Sequence, residues 1–492
     1  MRDWLAHRAA ASPDATAVVA ADDGREWTYG DLDATVEETA GRLAALGLRE
    51  GDHLGVLMET RLASVRLVHA AMRLGCVLVP LNVRLARPEL RRQVAAADLA
   101  ALVCEADTTA DAEAVAGDVP VASVDDGAVP ALDRQGTAGF EPATWNRDDP
   151  QVILFTSGTT GDPKAVVLTM GNLLASATAS AFRLGVLPDD RWHLCLSTYH
   201  MGGLAPVLRS TLYGTTVVVQ ESFDPGRTLA TLSEHGATGV SLVPTMLRRL
   251  LAAGDLPDSL RFVLLGGAPA SDELLAECER RGVPVYPTYG MTETASQVAT
   301  ASPAEAFDHD GTVGRPLLWT DVTVVDESGD PLPPDEAGEL VVSGPTVMAG
   351  YYDDTDATAA AFGDRGFHTG DVGYRDEAGR LWVLNRRSDR IVTGGENVDP
   401  GEVVATLRDH PRVDEAAVVG VEDEEWGERV AALVVPRGGA DLSLSDVRDH
   451  CEGRLAGYKQ PRLLETVEEL PRTTSGTVDR EAVRERLRQD RS

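Results

Sequence analysis

Residues 152–168 read VILFTSGTTGDPKAVVL, an apolar run, a loop rich in glycine and hydroxyl groups, and a second apolar run. The apolar runs Val152 to Phe155 and Ala165 to Leu168 are short, which predicts two strands joined by the loop. The loop offers backbone N–H groups at its glycines, four hydroxyls and the charge of Lys164, all suited to phosphate oxygens. The spacing is not that of a Walker loop. The stretch therefore predicts a phosphate-binding loop, with a plain Ser/Gly-rich turn as the alternative.

Lysine is scarce in this chain. Of the 45 lysine and arginine residues among 492, only Lys164 and Lys459 are lysines, so the presence of Lys164 in the loop favours a functional role. The 78 acidic residues give a net charge of −33, which argues against nucleic acid as a main partner. Because the acid excess is spread in patches, we expect a halophilic protein from a cytoplasm rich in salt. A partner surface that favours acidic groups is the alternative.

The composition also bounds the class of protein. The length suggests about three compact units, and 43% hydrophobic residues are enough for a sizeable core. No stretch approaches the roughly 18 apolar residues of a spanning helix, and the first residues lack the apolar core of a signal peptide, so we expect a soluble, cytoplasmic protein. The five cysteines are far apart without CxxC spacing, which indicates neither a disulfide framework nor a zinc site. A homo-oligomer is left open.

The order of apolar runs predicts the architecture. Helical stretches alternate with short β-branched runs over the first hundred residues and again up to about residue 310, which predicts two layered α/β lobes with parallel strands. Residues 105–150 are expected to form a surface excursion with short strands. Short runs broken by Gly and Pro predict a small β-rich subdomain at about 311–388. The fold class is therefore α/β, with a large N-terminal domain at 1–388 and an α+β C-terminal domain at 389–492.

Residues 156–164 resemble the phosphate loop of the adenylate-forming enzymes, the family of acyl-CoA synthetases, luciferases and peptide-synthetase adenylation domains. Four further motifs of that family occur in the same order: YGMTET at 289–294, TGD at 369–371, RRSDRIVTGGEN at 386–397 and PRTTSGTVDR at 471–480. The resemblance covers the chain from about Trp4 to Arg480. It implies a ligase that uses Mg-ATP to convert a carboxylic acid into an acyl adenylate, from which coenzyme A then displaces AMP.

The resemblance also assigns roles to single residues. Glu293 is expected to hold Mg²⁺, Tyr289 to lie against adenine, and Asp371 to accept both ribose hydroxyls. Arg387 is expected to contact ribose and phosphate. Their alternatives are a helix-start Glu, a core tyrosine, a turn-forming Asp and a surface ion pair. The nucleotide-binding candidates are Thr156, Ser157, Gly158, Thr159, Thr160, Gly161, Lys164, Gly267, Ala268, Pro269, Tyr289, Gly290, Met291, Thr292, Asp371 and Arg387. The catalytic candidates are His200, Lys164, Glu293 and Arg387.

The same resemblance implies a mobile C-terminal domain that rotates about Asp389 between the two half-reactions. Residues 394–397, Gly-Gly-Glu-Asn, would then line a tunnel for the pantetheine arm of coenzyme A. A plain turn is the alternative for these glycines.

The acid-binding candidates are His200, Arg209, Ser296 and Gln297. Residues 197–204, STYHMGGL, match the family segment whose histidine edges the acyl site, although a lone histidine is more often structural. Residues 203–214 and 289–297 further resemble the branch that ligates 2-succinylbenzoate to coenzyme A in menaquinone biosynthesis. Because that aromatic acid carries a second carboxylate, Arg209 is the candidate cation for it or its water network, with a surface or ion-paired arginine as the alternative. Another aryl or medium-chain acyl-CoA ligase stays possible.

One residue departs from the family pattern. The family carries a lysine directly after Ser-Gly in the last motif, where it bridges the acyl carboxylate and the α-phosphate, and here that position holds Thr477. Losing one such donor typically lowers the rate about 10²- to 10³-fold. Either Arg472 or Arg480 substitutes, or adenylation is slow, or the chain is a catalytically impaired nucleotide-binding homologue. We expect a working enzyme, since the other nucleotide motifs are present.

Overall fold

The computed structural model describes residues 1–156, 164–268, 270, 272–386, 391–398, 400–471 and 478–489. The chain divides into two compact units. The first unit comprises residues 1–83, 94–154 and 165–384, and the second comprises 84–93, 155–164 and 385–492.

The α-helices of the described residues are, in chain order from α1 to α15, Trp4–Ala11, Tyr29–Ala45, Leu62–Leu74, Arg87–Ala96, Thr109–Ala116, Met170–Leu184, Met201–Tyr213, Pro225–Glu234, Pro244–Ala253, Asp272–Arg280, Pro303–Asp308, Thr355–Ala361, Pro400–Arg408, Leu444–Cys451 and Arg480–Gln489. Short 3₁₀ helices lie at Ala106–Thr108, Leu132–Arg134, Thr292–Thr294 and Arg437–Gly439.

The strands of the described residues are, from β1 to β13, Thr16–Ala20, Glu26–Thr28, His53–Leu57, Val77–Pro80, Leu99–Cys104, Val121–Ser123, Pro150–Thr156, Lys164–Thr169, Arg191–Leu194, Thr216–Val219, Gly239–Leu242, Phe262–Leu265 and Val285–Tyr289. From β14 to β26 they are Ala299–Thr300, Thr312–Pro316, Asp321–Val325, Gly338–Ser343, Gly350–Tyr351, Phe362–Gly363, Gly366–Arg375, Leu381–Arg386, Ile391–Thr393, Glu396–Val398, Val413–Asp423, Gly427–Pro436 and Leu463–Thr466.

The longest sheet has the order β16-β17-β20-β21-β15-β14-β13-β12-β11-β9-β10-β1-β2, with β19 paired to β20. Its strands run parallel from β13 to β1, where short, fully buried strands such as Phe262–Leu265 alternate with helices. From β13 toward β16 the pairs β13–β14, β14–β15, β15–β21, β17–β20 and β16–β17 are antiparallel. This change places Tyr289, the last residue of β13, where the parallel part ends.

A second sheet has the order β18-β8-β7-β4-β3-β5-β6. It contains the two strands that the opening motif predicts, β7 and β8. The alternation of elements predicts one lobe for the first hundred residues, and the structure differs. Strands β1 and β2 belong to the longest sheet, where β1 pairs with β10 and β2 with β1. Strand partners are chosen by hydrogen bonds between residues far apart in sequence, so a local pattern cannot assign a strand to its sheet.

Residues 105–150 differ from the expectation of short strands alone. They include the helix α5 as well as β6, and Ala112 and Val115 of this helix are buried. Alanines at helical spacing supply a small buried face that a composition low in large apolar residues conceals.

The second unit contains a sheet of the order β23-β22-β25-β24, with β26 paired to β25. Strand β24 alternates between two apolar clusters: Ala416 and Val418 belong to one cluster, and Ala417 and Val419 to the other. One cluster includes apolar residues of α13 and α14 and the other those of α15. The α/β fold class, with a large N-terminal part and a smaller C-terminal part, is confirmed.

Lys459 is buried in the second unit between two carboxylates. Its Nζ donates to Glu89 Oε1 at 2.6 Å and to Glu402 Oε2 at 2.9 Å, and Arg92 lies 3.5 Å from the other oxygen of Glu402. Burial disfavours the charged lysine, but the attraction of Glu402 and Glu89 outweighs burial and raises the pKa of Lys459. The second lysine of the chain therefore compensates the charge of two buried carboxylates, and Arg92 adds to this at Glu402.

All five cysteines are free and buried, and burial raises the pKa of the Cys195 thiol to about 12. Within the described residues, no cluster of His, Cys, Asp and Glu has the arrangement of a metal site. No helix among these residues is both long and apolar enough to cross a membrane.

Candidate active site

Helix α7 begins directly after His200 and carries Arg209 two turns further on. The exposed His200 lies edge-on to the ring of the buried Tyr199, with ring centroids 4.9 Å apart, and its carbonyl accepts from the N–H of Leu204. The helix ends at Gly214, whose φ of 80° forms the left-handed cap that glycine favours. The match of residues 197–204 to the family segment thus falls at a helix start, with the imidazole open to solvent.

The Arg209 guanidinium is enclosed in the first unit. The residue is 2% exposed, and its Nη1 donates to Gln297 Oε1 at 2.9 Å while its Nη2 donates to Ser176 Oγ at 3.0 Å. Burial lowers the pKa of Arg209, and no salt bridge to an acidic side chain is formed within the described residues. A buried guanidinium with two neutral partners leaves its charge uncompensated, contrary to the ion-paired alternative.

The motif YGMTETASQ forms a tight buried turn after β13. Thr292–Thr294 is one 3₁₀ turn that contains Glu293, which is 8% exposed, and Ala295 and Ser296 follow with φ of 51° and 104°. Backbone strain of this kind persists only where neighbours enforce it and concentrates at functional sites. A Cβ on Gly290 would lie 1.6 Å from the Ser296 carbonyl oxygen, so only glycine fits there.

The two residues assigned to adenine and ribose meet each other. The Tyr289 hydroxyl donates to Asp371 Oδ2 at 2.7 Å, although 82 residues separate them. Tyr289 is 9% exposed and Asp371 2%. The hydroxyl therefore orients the carboxylate, and the aromatic ring and the acceptor oxygens belong to one rigid group.

The part of strand β20 that carries Asp371 is held by a carboxylate that the motif analysis missed. Glu339 Oε1 accepts from the N–H of Gly370 at 3.1 Å, and Oε2 lies 3.0 Å from His368 Nδ1. The N–H of Asp371 donates to Thr369 Oγ1 at 3.0 Å. Glu339 stands in β17, whose partner β20 carries the TGD motif. Only the pairing of these two strands reveals its role, since Glu339 lies far from every family motif.

The remaining nucleotide candidates are placed only in part. Thr156 ends β7, and its Oγ1 is buried without a hydrogen-bond partner in the part of the chain that the structure describes. Lys164 begins β8. Gly267 follows β12 with φ of 80° and precedes Ala268. The candidates that lie outside the described residues are Ser157, Gly158, Thr159, Thr160, Gly161, Pro269, Arg387, the hinge residue Asp389, Arg472 and Thr477.

The segment at 394–397 forms the turn of a hairpin between β22 and β23. Gly394 and Gly395 take φ of 59° and 83°, and Thr393 pairs with Glu396 across the turn. Glu396 is buried and accepts from Arg84 Nη1 at 2.8 Å within the second unit. The positive φ angles of this turn explain why glycines occupy positions 394 and 395. A role of residues 394–397 in lining a pantetheine tunnel stays a prediction.

Comparison with known proteins identifies the family. Residues 5–352 match the model described as AMP-binding enzyme, and residues 402–477 match the model of the AMP-binding enzyme C-terminal domain. The chain belongs to the AMP-binding enzyme family. The predicted resemblance to adenylate-forming enzymes is thereby confirmed.

Members of this family with full-length similarity include the 2-succinylbenzoate–CoA ligase of Bacillus pumilus, which is 39% identical over 97% of this chain and 96% of its own length. A double mutant of o-succinylbenzoate CoA synthetase from Bacillus subtilis, bound to a product analogue, superposes with a TM-score of 0.93 at 36% identity, covering 99% of this chain and 98% of the other. The Bacillus subtilis enzyme in complex with ATP and magnesium gives a TM-score of 0.76 at 35% identity, covering 99% of both chains.

Proposed function

We propose that this protein is an ATP-dependent carboxylic acid–CoA ligase that acts on 2-succinylbenzoate in menaquinone biosynthesis. The observation that carries the choice of acid is the buried Arg209 guanidinium, whose charge no acidic side chain of the described residues neutralises. A dianionic acid supplies the missing negative charge: one carboxylate reacts, and the other is compensated by this cation. Full-length similarity to 2-succinylbenzoate–CoA ligases supports the same acid.

The proposed reaction has two steps. In the first, a carboxylate oxygen of the acid attacks the α-phosphorus of ATP, the bond to the β-phosphate oxygen breaks, and pyrophosphate leaves. In the second, the sulfur of coenzyme A attacks the acyl carbon of the adenylate, its proton is lost, and AMP leaves with the electron pair of the C–O bond. The products are AMP, pyrophosphate and 2-succinylbenzoyl-CoA.

The described residues fit a bound nucleotide. Tyr289 and Asp371 offer an aromatic face and two acceptor oxygens in one hydrogen-bonded group, which suits adenine and the ribose diol. The Thr156 hydroxyl, which has no hydrogen-bond partner among the described residues, offers a donor for a phosphate oxygen next to the phosphate loop. We propose that Lys164 adds positive charge there and that Arg387 contacts ribose and phosphate.

Magnesium is proposed to be held by Glu293. A single protein carboxylate suits Mg²⁺, which usually keeps water and substrate phosphate oxygens among its ligands. When bound, the ion neutralises phosphate charge and favours the departure of pyrophosphate. The strained backbone after Glu293 holds its position on the 3₁₀ turn.

The acid end is proposed to consist of His200, Ser296 and Gln297 with Arg209 beneath. Arg209 is 2% exposed, so it acts through its charge and through the polar groups it holds more than by an open contact surface. Arg209→Ala is expected to raise the KM for 2-succinylbenzoate at least tenfold more than the KM for ATP. An equal rise in both constants would refute the assigned role.

The choice of acid is tested by CoA consumption with a panel of acids in molar KCl. We expect 2-succinylbenzoate to exceed benzoate and octanoate in kcat/KM by more than tenfold, a difference of about 1.4 kcal/mol in the barrier. If benzoate or octanoate exceeds it by that factor, the protein is another aryl or medium-chain acyl-CoA ligase. Because ATP and coenzyme A are intracellular substrates, we propose a cytoplasmic location.

Thr477 determines whether the first step runs at a useful rate. We propose that it does, with Arg472 or Arg480 supplying the charge. We expect the natural sequence to catalyse acid-dependent pyrophosphate exchange, and we expect this exchange to be faster in Thr477→Lys. Exchange in Thr477→Lys alone would identify the natural chain as an impaired nucleotide-binding homologue.

A further inference from the structure

The turn at Ala295 and Ser296 needs support from outside itself. Neither residue is glycine, and their φ angles of 51° and 104° lie in the left-handed region that strains the backbone of other residues. Ala295 is fully buried and Gln297 is 1% exposed, so water has little access to the residues on both sides of the half-buried Ser296. Packed side chains therefore supply the contacts that the backbone hydrogen bonds of the turn do not.

Ser176, which none of the family motifs contains, supplies the contact to the turn. It stands on α6, where its Oγ donates to the Ala295 carbonyl oxygen at 2.5 Å and accepts from Arg209 Nη2 at 3.0 Å. Arginine has no acceptor, so the direction of this chain of hydrogen bonds is determined: the guanidinium donates to the hydroxyl, and the hydroxyl donates to the carbonyl. Ser176 thus transmits the position of a buried cation to the strained peptide.

The same cation holds the other end of the turn. Gln297 Oε1 accepts from Arg209 Nη1 at 2.9 Å, which directs its Nε2 toward Thr300 Oγ1 at 2.8 Å. Between these two supports, the N–H of Ser296 donates to the Met291 carbonyl oxygen at 3.2 Å. The two branches from Arg209 therefore bracket Ser296.

We propose that Ser176 is a positioning residue for acid recognition. Its hydroxyl links the Ala295 carbonyl to Arg209 and thereby places Ser296, one of the residues proposed to contact the acid. The inference rests on the proposed function for the identity of the acid, but the relay itself is a property of Arg209, Ser176 and Ala295. Arg209 then has two roles: its charge compensates the acid, and its hydrogen bonds support the turn.

The test compares Ser176→Ala with Ser180→Ala in the full chain. Ser180 is a matched control, because it is buried one turn further along α6 and forms no hydrogen bond to the turn within the described residues. Pyrophosphate exchange is measured against acid and against ATP. Ser176→Ala is expected to raise the KM for the acid about tenfold, with the KM for ATP and kcat changed less than threefold, and Ser180→Ala to change none of these more than twofold.

Ser176→Cys is the second variant, since it keeps the size of the side chain and weakens the donor. We expect Ser176→Cys to give the same circular dichroism spectrum as the natural chain. We also expect it to raise the KM for the acid, as Ser176→Ala does. If Ser176→Ala does not fold, this variant decides. Equal changes in the two KM values, or no change in either, would overturn the proposal.

The acid used is the one that supports the fastest exchange. If that acid is not 2-succinylbenzoate, the proposed substrate is wrong, while the ratio of the two KM changes still decides on Ser176. If 2-succinylbenzoate is the best acid and Ser176→Ala shows no selective change, the relay is wrong and the proposed function stands.

Discussion

Tyr289→Phe tests what the hydroxyl of the proposed adenine-binding residue contributes independently of its aromatic ring. The substitution keeps an aromatic face and removes the donor that lies 2.7 Å from Asp371 Oδ2. A hydrogen bond to a charged group contributes about 1.5–3 kcal/mol, and water cannot replace it freely because Asp371 is 2% exposed. We therefore expect kcat/KM for ATP to fall roughly 10- to 100-fold.

The assay is pyrophosphate exchange at saturating acid with ATP varied, together with thermal unfolding of each variant. Tyr286→Phe is the matched control, because Tyr286 stands three residues earlier on the same strand and its hydroxyl forms no hydrogen bond to Asp371 within the described residues. The control is expected to stay within twofold of the natural chain. If Tyr289→Phe also stays within twofold, the hydroxyl does not orient Asp371 for ribose, and the coupled adenine–ribose group is refuted.

Three further outcomes follow from charge and burial. Lys459→Met is expected to destabilise the chain by about 3–5 kcal/mol, measured by denaturant unfolding, because it removes the ammonium group that both buried carboxylates bind; replacing Glu89 and Glu402 by glutamine in the same chain should recover most of the loss. Burial lowers the pKa of His69 to about 4 and of His193 to about 3, below the unfolded value near 6.5, so the unfolded state binds more protons between these values. The free energy of unfolding should therefore fall as pH drops from about 6.5 toward 4, with a shallower slope in His193→Gln, and an unchanged slope would contradict the assignment. With a net charge of −33, the thermal midpoint should rise from dilute buffer to molar KCl, whereas a midpoint independent of KCl would count against a halophilic protein.

Much of the fold could be read locally. The helix α13, Pro400–Arg408, begins at a proline, the residue type favoured at the first helical position. The strands on both sides of the phosphate loop also lie where their apolar runs predict. In both cases the decisive interactions, backbone dihedral preference and burial of a short apolar run, involve neighbours in sequence.

Other features had no local signal. The membership of β1 in the sheet of β10 depends on hydrogen bonds between residues about 200 positions apart. Ser176 lies in an Ala- and Ser-rich stretch that looks like ordinary helix surface in the sequence. Only the packing of α6 against α7 brings the Ser176 hydroxyl to Arg209. Glu339 was likewise missed, because its role arises from the pairing of β17 with β20.

The sequence by itself determined the family, the reaction class and the types of group at each motif, because glycines, hydroxyls, a lysine and carboxylates at set spacings carry chemical meaning without coordinates. The tertiary structure alone decided which of these groups act together. It joined Tyr289 to Asp371 and showed Arg209 to be buried without an acidic partner among the described residues. The reason is physical: chemical type belongs to the side chain, whereas desolvation and hydrogen-bond direction depend on neighbours that only folding brings together.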